Sequence, residues 1–251
     1  MRAVWISFSQ MLKFVRQDRM LFAAGLAPLL AGIAIHFGVL FAENSLIHFT
    51  GLPAVLAPYY GLFDIFLASI TPAMLCFIAA MVMLEERDDH IDRYLFVTGL
   101  GKRGYFLSRL ILPALIAFVV TAASLPLFRL TALSAGTILF LSLAETLQGI
   151  NIALLIVALS SNKLEGMAVT KLSSLMMLGA AAPYFVPAPV CLCFAFLPSF
   201  WVGKAILENR LFYMLLSLLV AGAWILILQR KMNRSFFILP FPHRPSGHRL
   251  H

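Results

Sequence analysis

The chain carries few charged side chains for its length. Of its 251 residues only 19 are Lys or Arg and 11 are Asp or Glu, whereas 61% are hydrophobic. The mean hydropathy of +0.93 is far above that of soluble domains. A soluble globular domain is therefore excluded. The net charge of +8 indicates membrane topology and contact with anionic lipids rather than nucleic-acid binding.

The sequence also lacks a nucleotide-binding motif of its own. No G-x-x-x-x-G-K-[ST] segment occurs, so no P-loop can hold phosphates. Gly99, Gly101 and Gly104 have G-x-G-x-x-G spacing, but they follow a charged segment and precede an apolar run, without the buried strand that a dinucleotide site requires. If the protein uses ATP, another subunit must supply the site.

Cysteines are equally scarce. Cys76, Cys191 and Cys193 form neither a disulfide framework nor a pair of metal-binding motifs. We expect them to be small packing residues, with no metal or cofactor bound by this chain.

Six long apolar runs account for most of the chain. Each is long enough, or nearly so, to cross about 30 Å of hydrocarbon as a helix. The runs are 20–41, 62–84, 110–128, 136–159, 167–186 and 212–228. They predict an all-α integral membrane protein with six transmembrane helices.

The basic residues predict the orientation of these helices. All but Arg129, Lys204 and Arg210 lie before the first run, between the second and third, around the fourth-to-fifth turn, or after the last run. Because cytoplasmic loops hold the excess of Lys and Arg, both termini are predicted to be cytoplasmic. A multi-pass position in a membrane is therefore expected, and the family resemblance given below implies the prokaryotic cytoplasmic (inner) membrane.

Three further segments complete the predicted organisation. Residues 1–19 have apolar side chains on one side and basic ones on the other, which predicts an amphipathic interfacial helix. Residues 20–229 form the transmembrane domain, with short broken helices around Pro187, Pro189 and Pro198 before the sixth span. Residues 230–251 form a basic cytoplasmic tail.

Polar residues inside the fourth run form a stripe. Glu145, Gln148 and Asn151 follow one another at intervals of three and lie within about a third of the helix circumference. A charge at this depth is costly, so the stripe should face the bundle interior or a second subunit. It is either part of a transport path, part of a dimer seam, or a set of hydrogen bonds between helices.

The most charged segment lies between the second and third runs and permits two interpretations. Ile91, Tyr94 and Leu95 form a short apolar stripe, which predicts an amphipathic helix within residues 85–104 that docks on a partner. Alternatively, Asp88, Asp89 and Asp92 could hold Mg²⁺ in an intramembrane enzyme acting on a prenyl diphosphate. Enzymes of that kind resemble one another in carrying two Asp-rich motifs that face each other, and this sequence contains only one such motif.

The same segment, "LEERDD" followed by "VTGLGKRGYFLSRLILP", resembles the permease subunits of ABC-2-type transporters. "SNKLEGMAVTKLSSLMMLGAAAPYFVP" and "FLPSFWVGKAI" are more narrowly similar to permeases described as fluoroquinolone exporters. One difference is that His90 and Ile91 stand where many relatives carry Gly-Thr or Gly-Ser.

The resemblance implies a non-enzymatic exporter subunit that moves an amphipathic compound outward, whether a drug-like molecule, a lipid or a peptide. A separate P-loop ATPase subunit would bind ATP and Mg²⁺, and a second copy or a related permease would complete the conduit. A cytoplasmic coupling helix at about 85–104 would contact the ATPase. The implied coupling residues are Glu85, Glu86, Arg87, Asp88, Ile91, Tyr94 and Leu95.

Overall fold

A computed structural model describes residues 2–51 and 53–237, and the regular elements in these ranges are all helical. The α-helices are α1 (Arg2–Gln17), α2 (Arg19–Thr50), α3 (Tyr60–Asp88), α4 (Ile91–Val97), α5 (Gly101–Phe106), α6 (Leu112–Phe128), α7 (Ala135–Leu159), α8 (Lys163–Leu178), α9 (Ala182–Phe185), α10 (Ala188–Cys191), α11 (Pro198–Glu208) and α12 (Leu211–Phe237). A π-helical turn, Leu107–Ile111, joins α5 to α6. The part of the predicted basic tail beyond residue 237 lies outside the described residues.

Five of the described helical segments are long and apolar enough to cross a membrane. They are Arg19–Phe49, Ala57–Asp88, Gly101–Phe128, Ala135–Leu159 and Leu211–Met232. Each contains one of the predicted spans. The chain is thus a multi-pass α-helical membrane protein.

The predicted span at 167–186 differs from the other five. Its helix α8 ends at Leu178 and is followed by the 3₁₀ turn Gly179–Ala181 and the four-residue helix α9. Pro183 and Pro187, which favour a helix start or an extended bend, lie within this interrupted region. A span at 167–186, the fifth of the six expected, therefore remains a prediction. The segment around Pro187, Pro189 and Pro198, expected to form short broken helices before the last span, contains α10, a 3₁₀ turn and α11.

Helices α3 and α7 form the centre of the bundle. Most side chains in their apolar segments are buried, whereas those of α2 and α12 are mostly exposed. An added Cβ at Gly149 of α7 would lie 2.8 Å from the carbonyl oxygen of Pro72 in α3, so these two helices make direct backbone contact. The exposed apolar faces of the outer helices suit a hydrocarbon solvent.

Helix α1 packs differently from a helix that rests only on lipid. Phe8 and Met11, from its apolar side, are buried against the core. Trp5 and Leu12 remain exposed beside the basic Lys13. The apolar residues of α1 therefore make two kinds of contact: Phe8 and Met11 contact the protein's own core, and Trp5 and Leu12 face its surroundings.

The N-terminus of α2 and the C-terminus of α3 lie at the same end of the bundle, together with α1, α4 and the N-terminus of α8. We call this the basic end, and it is the end predicted to be cytoplasmic. At the opposite end, Asp64 of α3 is buried and accepts hydrogen bonds from Leu130 N (2.7 Å) and Thr131 N (3.0 Å). This carboxylate fixes the loop between α6 and α7.

Candidate functional site at the basic end

The segment predicted as a coupling helix, residues 85–104, consists of three helical pieces. Glu85, Glu86, Arg87 and Asp88 form the last turn of α3, so they belong to the membrane-spanning helix itself. His90 then adopts φ 58°, in the left-handed region that favours glycine. This reversal separates the end of α3 from the start of α4 at Ile91.

The glycine-rich stretch begins the third of these pieces. Thr98 to Leu100 form the turn after α4, and α5 starts at Gly101, which has φ 63°. The element before the turn is the short helix α4 and not a strand, so the glycines permit a tight turn between helices. The dinucleotide interpretation is accordingly not supported by the fold.

One side of α4 is apolar and open to solvent. The exposed fractions of Ile91, Tyr94 and Val97 are 43%, 75% and 89%. These residues are spaced three apart and form what we call the α4 apolar face. Leu95, by contrast, is half-buried and packs against the core. Ile91 and Tyr94, two of the expected contact residues, are thus exposed, whereas Leu95 faces inward. Val97 lies outside the i, i+3, i+4 pattern of the sequence. Contact with a partner stays a prediction.

The last turn of α3 is bound to its neighbours by a set of ionic contacts that we call the basic-end network. It comprises Asp18, Glu85, Glu86, Arg87, Asp88, Arg109 and Lys163. Each of four consecutive α3 residues makes at least one of these contacts.

The Glu86–Arg109 pair is the most buried part of the network. Arg109 Nε donates to both carboxylate oxygens of Glu86 at 3.0 Å, and Nη2 lies 2.5 Å from Glu86 Oε1. Its Nη1 also donates to the Ser7 carbonyl of α1 at 2.7 Å. The planar guanidinium thus joins α3, the π-helical turn and α1 in one geometry, which a lysine could not reproduce.

Lys163, at the start of α8, bridges two acidic residues. Its Nζ lies 2.6 Å from Glu85 Oε2 and 3.0 Å from Asp18 Oδ2. Burial alone would lower the pKa of Lys163, but the hydrogen bonds to Glu85 and Asp18 raise it above its ordinary value. The same contact with Lys163, aided by the backbone N–H groups of Leu21 and Met20, lowers the pKa of Asp18. The bridge thus connects α2, α3 and α8.

Arg87 and Asp88 contact the ends of α7 and α8. Arg87 Nη1 donates to the carbonyl of Ser160 at 2.8 Å and to that of Val157 at 3.3 Å. Asp88 Oδ2 accepts from the backbone N–H of Lys163 at 2.9 Å. A cation at a helix C-terminus and an anion at a helix N-terminus both complement the helix dipole. A displacement of α3 at this end would therefore be transmitted to both helices.

The three aspartates do not form a metal site. Asp88 is held by the start of α8, while Asp92 lies beyond the reversal at His90, is buried, and accepts from Arg93 N at 2.8 Å. Burial raises the pKa of the Asp92 carboxyl. Within residues 2–51 and 53–237, no group of three His, Cys, Asp or Glu side chains is placed to hold a metal ion. The Mg²⁺-enzyme alternative is not favoured.

The polar stripe of α7 lies inside the chain. Glu145, Gln148 and Asn151 are each at most 2% exposed. Asn151 Nδ2 donates to the Ala221 carbonyl of α12 at 3.2 Å. This contact is a hydrogen bond between two helices, one of the three interpretations of the stripe. A transport path and a dimer seam both stay predictions.

The helices and the ionic end together define a class. A bundle of long apolar helices, held together at one end by a charged network, is that of a multi-pass membrane protein. The chain belongs to the Rv2686c-like family of fluoroquinolone export permease proteins, whose family model matches residues 11–229. It is therefore a membrane transporter permease.

No curated protein matches the chain. No solved structure matches it either.

Proposed function

We propose that this chain is the membrane-spanning subunit of an ABC-2-type exporter, located in a prokaryotic cytoplasmic membrane. A separate ATPase subunit with a P-loop binds ATP and Mg²⁺ and drives the outward movement of an amphipathic compound. A second copy of this chain, or a related permease, completes the transporter. The family is named for fluoroquinolone export, so compounds of that amphipathic kind are the first to assay.

The α4 apolar face is the observation that carries this proposal. Tyr94 and Val97 are the two most exposed of its residues, on a short helix that follows the last turn of α3 at the basic end. Exposed aromatic and aliphatic side chains of this kind are the anchors of protein–protein interfaces. Exposure of these apolar side chains to water is unfavourable, and burial in a groove of a soluble partner would be favourable.

The basic-end network supports the mechanical part of the proposal. Only Asp89 and His90 separate α4 from the last turn of α3. A push on α4 therefore reaches α3 directly. From α3 it reaches α1 through Arg109, α2 and α8 through Lys163, and the C-terminus of α7 through Arg87. Closure of two ATPase subunits would in this way tilt several spans together, and bound cargo would in turn alter ATP turnover.

The test is to purify the tagged chain from native membranes in mild detergent and to identify the co-purifying proteins by mass spectrometry. We expect a P-loop protein and ATP hydrolysis by the complex. The double variant Tyr94→Ser with Val97→Ser should reduce recovery of the ATPase by about tenfold or more, because loss of an interface anchor typically exceeds 1.4 kcal/mol. Membrane insertion should be unchanged.

Phe49→Ser is the matched control, since Phe49 is 90% exposed but lies near the far end of α2. It should leave ATPase recovery unchanged. Wild-type recovery of the ATPase by the α4 double variant would contradict the proposal. Export of lipids or a signalling role would involve the same fold and the same ATPase, and only assays with defined cargo separate these from drug export.

A further inference from the structure

Four buried polar atoms of the α7 stripe have no hydrogen-bonding partner among the described residues. They are Glu145 Oε1, Gln148 Oε1, Gln148 Nε2 and Asn151 Oδ1. Buried polar groups in proteins are nearly always paired, and the need is greater inside a membrane, where water does not replace a missing partner. A cluster of such atoms on one helix face indicates a site for a polar group from outside the chain.

The chemistry of these atoms restricts what that group can be. The Asn151 amide is oriented by its donation to the Ala221 carbonyl, so its free atom is an acceptor. Gln148 offers one acceptor and one donor whichever way its amide is turned. The unpaired set therefore contains three acceptor oxygens and one donor. It favours a ligand group rich in N–H donors, and the carboxyl of Glu145 favours one with a positive charge.

The position of the stripe is central in the bilayer. Glu145 and Asn151 are about 9 Å apart along the axis of α7, near the middle of the 25-residue helix. This face is enclosed by the neighbouring helices, chiefly α3 and α12. The C-terminus of the same helix is held by Arg87 of the basic-end network. A movement of the basic-end network would therefore also move α7, the helix that carries the stripe.

We propose that Glu145, Gln148 and Asn151 form the site that receives the protonated amine of the exported compound. The cargo class is then amphipathic amines, in which the ammonium group lies beside the Glu145 carboxyl and donates to acceptors of the stripe, and the apolar part lies against the surrounding helices. The inference rests on the proposed function, because it assigns the cargo of that exporter. The site opens when α7 separates from its neighbours.

The direct test uses dansylcadaverine, a fluorescent amphipathic primary amine, and its neutral N-acetyl derivative. Binding of each is measured by fluorescence anisotropy to the full-length chain in lipid nanodiscs. The wild type should bind the amine at least about tenfold more tightly than the acetylated probe, as expected for hydrogen bonds to a charged group. Glu145→Gln should remove this preference.

Glu208→Gln is the charge-matched control. Glu208 lies on α11 and makes only long contacts, at 3.7 Å to Lys204 and 3.8 Å to Arg210. It should retain the wild-type preference for the amine. Equal binding of the two probes by the wild type, or an unchanged preference in Glu145→Gln, would overturn the proposal. So would competition by Na⁺, with choline as the replacement ion, because the site would then hold an inorganic cation.

Gln148→Met is a second variant that stays informative if Glu145→Gln does not fold. Methionine has a similar shape without the two unpaired amide atoms, so the folded chain should be as stable as the wild type or more stable, while amine affinity falls. Lower thermal stability with unchanged amine affinity would show that Gln148 has only a structural role and would overturn the proposal.

The binding assay is independent of the ATPase. Amine binding by a chain that recovers no ATPase would contradict the proposed function and leave the cargo site standing. A transporter that binds the ATPase but shows no preference for the amine would support the proposed function and overturn the cargo site.

Discussion

The Glu86–Arg109 pair allows a quantitative test of the basic-end network. Arg109 is 3% exposed and Glu86 is 13% exposed at the side chain, so both charges are largely removed from water. The variant Glu86→Gln keeps the shape of the side chain but leaves the guanidinium without its counter-ion. Breaking a buried pair from one side is far more damaging than losing an exposed one.

The expected loss is about 3–5 kcal/mol in the free energy of unfolding, the range for removing one partner of a buried ion pair. Arg109 keeps its hydrogen bond to the Ser7 carbonyl, which places the expectation toward the lower end of that range. Glu86→Leu combined with Arg109→Met removes both charges. This double variant should therefore be more stable than Glu86→Gln, because no buried charge is left unpaired.

The assay is reversible unfolding of the purified chain in mixed micelles with increasing SDS, followed by tryptophan fluorescence. Glu165→Gln serves as a control for loss of a carboxylate at the same end, since Glu165 contacts only exposed backbone at the start of α8. A destabilisation by Glu86→Gln of less than about 1 kcal/mol, the size expected for exposed pairs, would refute the description of this pair as a buried connection between helices.

Two further predictions concern the same bundle. Asp18→Asn should lower stability above about pH 4 and flatten the acid side of the stability profile. The lowered pKa of Asp18 contributes stability above its unfolded value of about 3.9, and that stability is lost as the pH falls through the lower folded value. A variant that loses stability to SDS on acidification as steeply as the wild type would contradict the bridge with Lys163. Gly149→Ala should destabilise the chain by about 1–3 kcal/mol, because the new Cβ would meet the Pro72 carbonyl at 2.8 Å, whereas Gly38→Ala, with nothing within 4 Å, should be neutral or stabilising; equal effects would count against the close contact of α3 and α7.

The comparison of sequence and structure is clearest for the spans. Five of the six predicted runs coincide with long apolar helices. In a bilayer each span must form all its backbone hydrogen bonds within itself, so a span can be recognised from its length and hydropathy alone. The run at 167–186 was less predictable. It is less apolar than the others and contains Lys171, and the point where its helix ends depends on local proline and glycine geometry around Gly179 and Pro183.

The candidate site was likewise predictable only in part. The charges of the segment after the second run were visible in the sequence, and so was the apolar pair Ile91 and Tyr94. Their arrangement was not, because Leu95 faces the core and Val97 faces outward only after the reversal at His90 sets the direction of α4.

The sequence by itself determined the class of the protein: few charges, long apolar runs and a basic excess on one side leave only a multi-pass helical membrane protein, since transfer into a bilayer depends on composition within each segment. Only the tertiary structure decided which residues of the chain contact one another. That Glu86 meets Arg109, that Lys163 joins Glu85 to Asp18, and that Glu145 lies inside the chain and not at its surface are consequences of helix packing between residues far apart in sequence. No local pattern encodes such contacts, because they depend on how all the helices fit together.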